Sequence, residues 1–163
     1  MSLLLKYVVI APLIMLASDA YADWEYNDRK DPFEDTDRSS ITATVDMYEE
    51  DEALLIGVSC QADGLNIMLS HSYMAGDSDD EIRVQMRVDQ NEAYGPTYWG
   101  LAAENRASWM PMRDVPDMIA QMKAGRRLVI RAIDPFDGDS LNQAVSLFGF
   151  SAIVERLSCY AGP

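Results

Sequence analysis

The chain has 163 residues, a formal net charge of −14 and a sequence pI near 4.2. This length suits one domain with a single core. A surface this acidic repels phosphate backbones and anionic membranes, so the composition argues against nucleic acid as a partner. A basic protein or a cationic ligand stays open as a partner, and so does the simpler interpretation that the acidity serves solubility.

The first 22 residues have the pattern of a secretory signal peptide. Lys6 gives a weakly basic start, residues 7–17 form a nearly continuous apolar run, and Ala20-Tyr21-Ala22 is a small-x-small cleavage motif before Asp23. The apolar run is shorter than the about 20 residues of a spanning helix, so we expect no stable membrane insertion after cleavage. An N-terminal anchor that stays attached is the alternative. The pattern predicts a mature protein in the periplasm or outside the cell.

Residues 23–38 are polar and charged and contain Pro32, which predicts an extended N-terminal arm with Trp24 and Tyr26 as side chains that could dock on the body. Residues 39–163 are predicted to form a single domain. Period-two alternation of apolar and polar residues, typical of half-buried strands, occurs in residues 41–47, 54–60, 65–69, 82–88 and 128–132. Asp63-Gly64 predicts a hairpin turn, and shorter strands are predicted over 98–101 and 143–148.

Two amphipathic helices are predicted in the second half of the chain. The first begins at Asp114 as N-cap and ends at Gly125, and its apolar side chains recur at helical spacing: Val115, Met118, Ile119 and Met122. The second has Ser151 as its cap and the apolar residues Phe150, Ile153, Val154, Leu157 and Tyr160. The predicted fold class is therefore α+β, with an antiparallel sheet or sandwich-like core, helices on one sheet face and solvent on the other.

Cys60 and Cys159 are the two cysteines. In an exported protein an even count predicts one disulfide, which here would tie the final helix to the sheet. The alternative is a pair of buried free thiols. With a single histidine in the chain, these residues do not make a closed structural zinc site without carboxylates, so no metal or cofactor is predicted.

No catalytic residues are predicted. His71 is the only histidine and follows a predicted strand, and neither a nucleophile-elbow motif nor a phosphate-binding glycine loop occurs. Asp134, Asp137 and Asp139 supply oxygen atoms that calcium could use, but their spacing does not match a helix-loop-helix calcium site, and the question stays open.

A binding patch is predicted around Arg87, Asp89 and Arg131. The two arginines occupy the polar positions of predicted strands, and guanidinium groups bind carboxylates and other anions in a bidentate manner. Ordinary ion pairing between the strands is the alternative interpretation.

Aromatic residues cluster around the Gly95-Pro96 break. They are either a contact surface or a plug at the end of a small barrel or sandwich. The candidates singled out for binding are Tyr98, Trp99 and Trp109.

Several short motifs occur in order along the chain. After a Trp soon after the signal peptide and a charged arm come Leu55-x-x-x-x-Cys60 and Val84-x-x-Arg87-x-Asp89, followed by an amphipathic helix, Gly125-x-x-Leu128-x-x-Arg131, Leu147-x-Gly149 and a last helix ending at Cys159. Together they resemble the periplasmic accessory proteins of bacterial type VI secretion, the VasI/TagO family. The stretch from Val145 to Leu157 is also similar to the closing module of the invasion-associated locus B family. The resemblance implies an exported, non-enzymatic domain.

Three functional hypotheses follow. The leading one is an exported, non-enzymatic accessory protein that binds another envelope or secreted protein, with a secretion system as one context. The second is an acidic inhibitor or immunity protein against a basic secreted hydrolase such as lysozyme, because a charge of −14 would steer that encounter. The third is a hydrolase with an unrecognised carboxylate site, for which the acidic residues near Arg87 and Arg131 are candidates.

Overall fold

The computed structural model describes residues 24–43 and 54–160. Its strands are β1 (Trp24–Asn27), β2 (Ser40–Ala43), β3 (Leu55–Gln61), β4 (Gly64–Ser70), β5 (Glu81–Val88), β6 (Tyr94–Ala102), β7 (Ala107–Trp109), β8 (Arg127–Ile133) and β9 (Ser140–Ser146). They form one antiparallel sheet in the order β1-β2-β3-β4-β7-β6-β5-β8-β9. The predicted antiparallel α+β fold is confirmed.

The core lies on one face of this sheet because the strands alternate buried and exposed side chains. In β5 the buried residues are Ile82, Val84, Met86 and Val88. The two edge strands approach each other at Trp24, whose indole N–H donates a 2.9 Å hydrogen bond to the Ser146 carbonyl of β9. The Trp24 ring also packs on Phe150, with ring centroids 4.7 Å apart. The sheet is therefore strongly curved around its core.

The first predicted helix is confirmed as α1 (Val115–Ala124), and it follows a short 3-10 helix over Met112–Asp114. Its four predicted apolar residues are all buried. Asp114, however, makes no side-chain capping bond, because its carboxylate instead accepts a 2.6 Å hydrogen bond from the Tyr94 hydroxyl. Burial and this bond raise the pKa of Tyr94 to about 12.

The last helix is shorter than predicted. Helix α2 spans only Phe150–Val154 and begins after Gly149, whose φ of 81° favours glycine, instead of being capped by Ser151. Turns follow from Glu155 to Cys159. Phe150, Val154 and Leu157 still pack in the core, and Ile153 and Tyr160, the other two predicted apolar residues, are partly buried against it.

The Cys60–Cys159 disulfide is present, with a Cα–Cα distance of 5.6 Å. It joins β3 to the turns after α2, so Cys159 does not lie in a helix as predicted. The bond ties the end of the described chain to the C-terminal end of β3. Within residues 24–43 and 54–160, no helix is long and apolar enough to cross a membrane.

Other boundaries differ from the sequence prediction. The predicted arm contributes strand β1, β6 is longer than predicted, β9 begins three residues earlier, and β7 was not predicted. Tyr26 docks as expected, with the Arg156 guanidinium 4.0 Å from its ring centroid. The predicted signal peptide and residues 44–47 of the first predicted strand lie outside the described residues.

Candidate functional site

Two of the predicted binding residues, Arg87 and Arg131, lie on neighbouring strands. β5 pairs with β8 so that Gln85 is opposite Arg131 and Arg87 is opposite Val129. Directly opposite residues of an antiparallel pair share a face. Both arginines alternate with buried residues of their strands and therefore project from the outer face of the sheet.

Arg83 and Arg127 occupy the same outer face. Arg83 is two positions before Gln85 on β5, and Arg127 is two positions before Val129 on β8. We call the outer side of β5 and β8 the arginine face, with Arg83, Arg87, Arg127 and Arg131 as its basic residues. Arg83 and Arg127 were not among the predicted binding residues, although both occupy polar positions of the same alternating strands.

No arginine of this face forms an ion pair with a carboxylate among the described residues. The ion pairs there join other residues: Lys30–Asp35, Arg38–Glu34, Arg113–Asp114 and Lys123–Glu155. Arg87 Nη2 donates to Gln90 Oε1 and Arg131 Nε donates to Asn142 Oδ1, each at 2.8 Å. Arg83 Nε is shielded from solvent without a partner in this part of the chain. Strand-face ion pairing, the alternative interpretation, is thus absent from the described residues.

Asp89 has a positioning role beside the arginine face. Its carboxylate accepts hydrogen bonds from the backbone N–H groups of Arg126, at 3.0 Å, and Arg127, at 2.9 Å. The preceding Gly125 has no room for a side chain, because an added Cβ would collide with Val88. Asp89 therefore fixes the start of β8 against the end of β5.

The three predicted aromatic residues separate into different environments. Tyr98 is 50% exposed and lies opposite Arg83 on the outer face, at the edge of the arginine face. Trp109 is partly buried and lies opposite Gly100 on the same outer surface, one strand farther away. Trp99 is 0% exposed and packs in the core, so its side chain is not part of an exposed contact surface.

A second polar cluster lies at the end of the sheet where β4 and β8 finish. His71 is 5% exposed, and its Nδ1 donates a 2.7 Å hydrogen bond to the Ser72 carbonyl, which can only accept. Asp134 is 3% exposed and accepts backbone hydrogen bonds from Ala75, Gly76 and Phe136. Burial lowers the pKa of His71 below 6.5, although the Ser72 bond and the Asp134 charge act in the opposite direction.

This lowered pKa predicts a pH dependence of stability. The folded state disfavours the His71 cation, so the contribution of neutral His71 is complete above about pH 6.5 and is lost as the pH falls below it. His71→Gln is expected to lose less unfolding free energy than the parent between neutral pH and about pH 5. Urea unfolding at both pH values measures this difference. Equal losses of unfolding free energy in the two proteins would contradict this prediction. The lowered pKa values of Asp31 and Asp37 change stability only at more acidic pH, so they do not interfere with the comparison.

The hydrogen bonds of Asp134 argue against calcium binding by Asp134, Asp137 and Asp139. Both carboxylate oxygens of Asp134 face backbone N–H donors, which would repel a cation, and Asp137 Oδ1 accepts a hydrogen bond from the Asp139 N–H. Within residues 24–43 and 54–160, no three histidine, cysteine or acidic side chains are arranged to hold a metal ion.

An apolar groove of about 760 Å³ lies between α1, the β3–β4 hairpin and the residues around the disulfide. Lys123 closes one side, since its Nζ donates to Glu155 Oε1 at 2.9 Å and to the Tyr160 hydroxyl at 2.6 Å. The volume is in the range of small-ligand sites. The groove lies on the α1 side of the sheet, away from the arginine face.

Comparison with known proteins gave no match: no protein-family model, curated protein or solved structure matches the chain. The functional interpretation therefore depends on the chain's own residues and their geometry.

Proposed function

We propose that the protein is an exported, non-enzymatic accessory protein that binds another envelope or secreted protein through the arginine face. The observation that carries this proposal is the set of four outward arginines without carboxylate partners among the described residues, on a chain with a net charge of −14. Guanidinium groups left open on a rigid sheet present fixed hydrogen-bond donors to a partner.

Export is supported by two independent features. The first 22 residues have the basic, apolar and small-x-small pattern of a signal peptide. The Cys60–Cys159 disulfide is the kind of bond that persists in oxidising compartments. The periplasm or the extracellular space is therefore the proposed location.

A binding role is favoured over catalysis by the state of the only histidine. His71 is buried and its Nδ1 is committed to a backbone carbonyl, so it is poorly placed to act as a base on a substrate. The secretion-system context is supported by the resemblance alone. Its Val84-x-x-Arg87-x-Asp89 and Gly125-x-x-Leu128-x-x-Arg131 motifs both contribute to the arginine face or to its positioning.

The inhibitor hypothesis has a different surface in its favour. The loops that follow β4 and β8 bring several acidic residues to one end of the sheet: Asp77, Asp79, Asp80, Asp137 and Asp139. A basic hydrolase would be attracted to this end, whereas the arginine face would repel it. The two hypotheses thus assign the contact to different surfaces.

A pull-down with matched variants tests the proposal. The exported, oxidised form of the full chain is the bait, and an envelope extract of the source organism is the prey, at low and at physiological salt. We expect one stoichiometric partner that the Arg87→Glu, Arg131→Glu double variant loses and that Arg113→Glu, a charge change away from the face, retains. A partner retained by both variants, or no partner at either salt, would contradict the assignment to the arginine face. Inhibition of lysozyme by the double variant as strong as by the parent would instead support the inhibitor hypothesis.

A further inference from the structure

We infer that the partner segment bound by the arginine face is an extended acidic peptide with carboxylates at alternate positions. This inference depends on the proposed function, because it assumes that the arginine face is the contact surface. It specifies the chemistry and the conformation of the partner segment that the arginine face binds.

The spacing of the four arginines carries the inference. In the β5–β8 register, Arg131 lies level with Gln85, midway between Arg83 and Arg87, and Arg127 lies two residues beyond Arg87 along the strands. The order along the strand axis is therefore Arg83, Arg131, Arg87, Arg127, alternating between β5 and β8. Each step is two residues, or about 7 Å, and the strands are about 4.8 Å apart.

An extended peptide repeats with the same period. Its side chains at i, i+2, i+4 and i+6 lie on one side, about 7 Å apart. A segment lying along the groove between the arginine rows would bring one carboxylate to each guanidinium. Val129 is 41% exposed between Arg127 and Arg131, and it offers an apolar contact at the centre of the face.

The hydrogen bonds already present leave donors available. A guanidinium has five N–H donors, of which Gln90 occupies one on Arg87 and Asn142 occupies one on Arg131. These contacts hold each group in one orientation while leaving other N–H groups for a bidentate carboxylate. Arg83 is half-buried and its Nε is shielded from solvent, so that N–H is not among the donors open to a peptide.

Charge around the arginine face favours a short peptide over a long polyanion. Glu81 lies on the outer face at the start of β5, and Asp89 follows β5 at its other end. A nucleic acid strand longer than the face would continue past the four arginines onto acidic surface, where its phosphates would be repelled. A segment of about seven residues spans the four arginines without reaching farther.

Two synthetic peptides of identical composition test the spacing. One alternates four glutamates with threonines, and the other has the same four glutamates in one block flanked by the threonines. We expect the alternating peptide to bind the oxidised full chain at least about tenfold more tightly in calorimetry at low salt, and its affinity to fall with added salt. Equal affinities, or tighter binding of the block peptide, would overturn the inferred geometry.

Single substitutions assign the binding to the arginine face. Arg131→Gln and Arg87→Gln are each expected to weaken the alternating peptide about tenfold, and Arg131→Lys by less, because lysine keeps the charge but not the bidentate geometry. Arg113→Gln, which removes the same charge from an exposed site in the 3-10 helix, is the matched control and is expected to change little. Circular dichroism and the unfolding midpoint show whether each variant is folded. Equal effects of Arg131→Gln and Arg113→Gln would overturn the inference.

Single-stranded DNA of matched length distinguishes the other class of anion. Tighter binding of the DNA than of the alternating peptide, lost in Arg131→Gln, would reassign the face to nucleic acid. Different results would overturn the acidic-peptide inference and the proposed function. A pull-down partner lost in the Arg87→Glu, Arg131→Glu variant, together with no peptide binding, would leave the proposed function standing and remove the acidic-peptide inference. A partner retained by that variant would remove both.

Discussion

Removal of the Cys60–Cys159 disulfide is expected to lower the free energy of unfolding by about 4–5 kcal/mol. The bond links residues 99 positions apart, so it excludes a large share of the conformations of the unfolded chain. In the chain-entropy account this stabilisation grows with the logarithm of the loop length, and a loop this long is near the upper end of the usual range. The bond also holds the turns after α2 against β3, where Cys60 is buried.

The Cys60→Ala, Cys159→Ala double variant is the appropriate comparison, because it leaves neither a free thiol nor a hydroxyl in the core. For a domain of this size the loss corresponds to a fall of roughly 10–20 °C in the unfolding midpoint. Calorimetry of the oxidised parent, the reduced parent and the double variant measures it. A reductant should lower the unfolding midpoint of the parent and leave that of the double variant unchanged. A parent midpoint that does not move on complete reduction would contradict this account.

The strands that the sequence predicted best are those with one fully buried face. In β5 each inward position is apolar and each outward position is polar, so period two specifies both the element and its orientation. The β3–β4 hairpin was predicted from Asp63-Gly64, and Gly64 has the positive φ of 119° that glycine tolerates. Local patterns were sufficient where the burial of a single face decides the structure.

The elements that the sequence missed depend on distant partners. β7 has only three residues, too few to show a period, and it exists because β4 and β6 supply hydrogen bonds on both sides. β1 lies in a polar segment and forms as an edge strand against β2. Aspartate is common at N-caps, but Asp114 ends the preceding 3-10 helix and its carboxylate accepts a hydrogen bond from the Tyr94 hydroxyl instead of from the backbone of α1.

The candidate site was predictable residue by residue but not as a surface. Alternation predicted that Arg87 and Arg131 occupy polar positions, yet β6, β7 and α1 separate their strands in the sequence, so only the sheet order makes them neighbours. The same order brings Arg83 and Arg127 into the row. Tyr98 and Trp99 are adjacent in sequence and face opposite sides of β6, a choice that composition alone does not determine.

Replacement of Asp134 by asparagine is expected to lower the free energy of unfolding by about 2–4 kcal/mol. One carboxylate oxygen accepts hydrogen bonds from Gly76, at 3.1 Å, and Phe136, at 3.0 Å, and the other accepts from Ala75, at 2.5 Å. Asparagine keeps one acceptor oxygen and turns an NH₂ group toward the remaining N–H donor. A buried donor without an acceptor costs about 1–3 kcal/mol, and the loss of the negative charge weakens the remaining bonds as well.

Asp137→Asn is the matched control for this substitution. Asp137 lies in the same turn and is exposed, and its carboxylate accepts a hydrogen bond from the Asp139 N–H within the turn, so we expect a loss below about 1 kcal/mol. Urea unfolding with unchanged m-values compares the two variants. Equal losses would mean that the bonds from Asp134 to Ala75 and Gly76, nearly 60 residues away in sequence, do not stabilise the fold. A large loss at Asp134 alone would identify this buried carboxylate as the link that holds the loop before β5 to the end of β8.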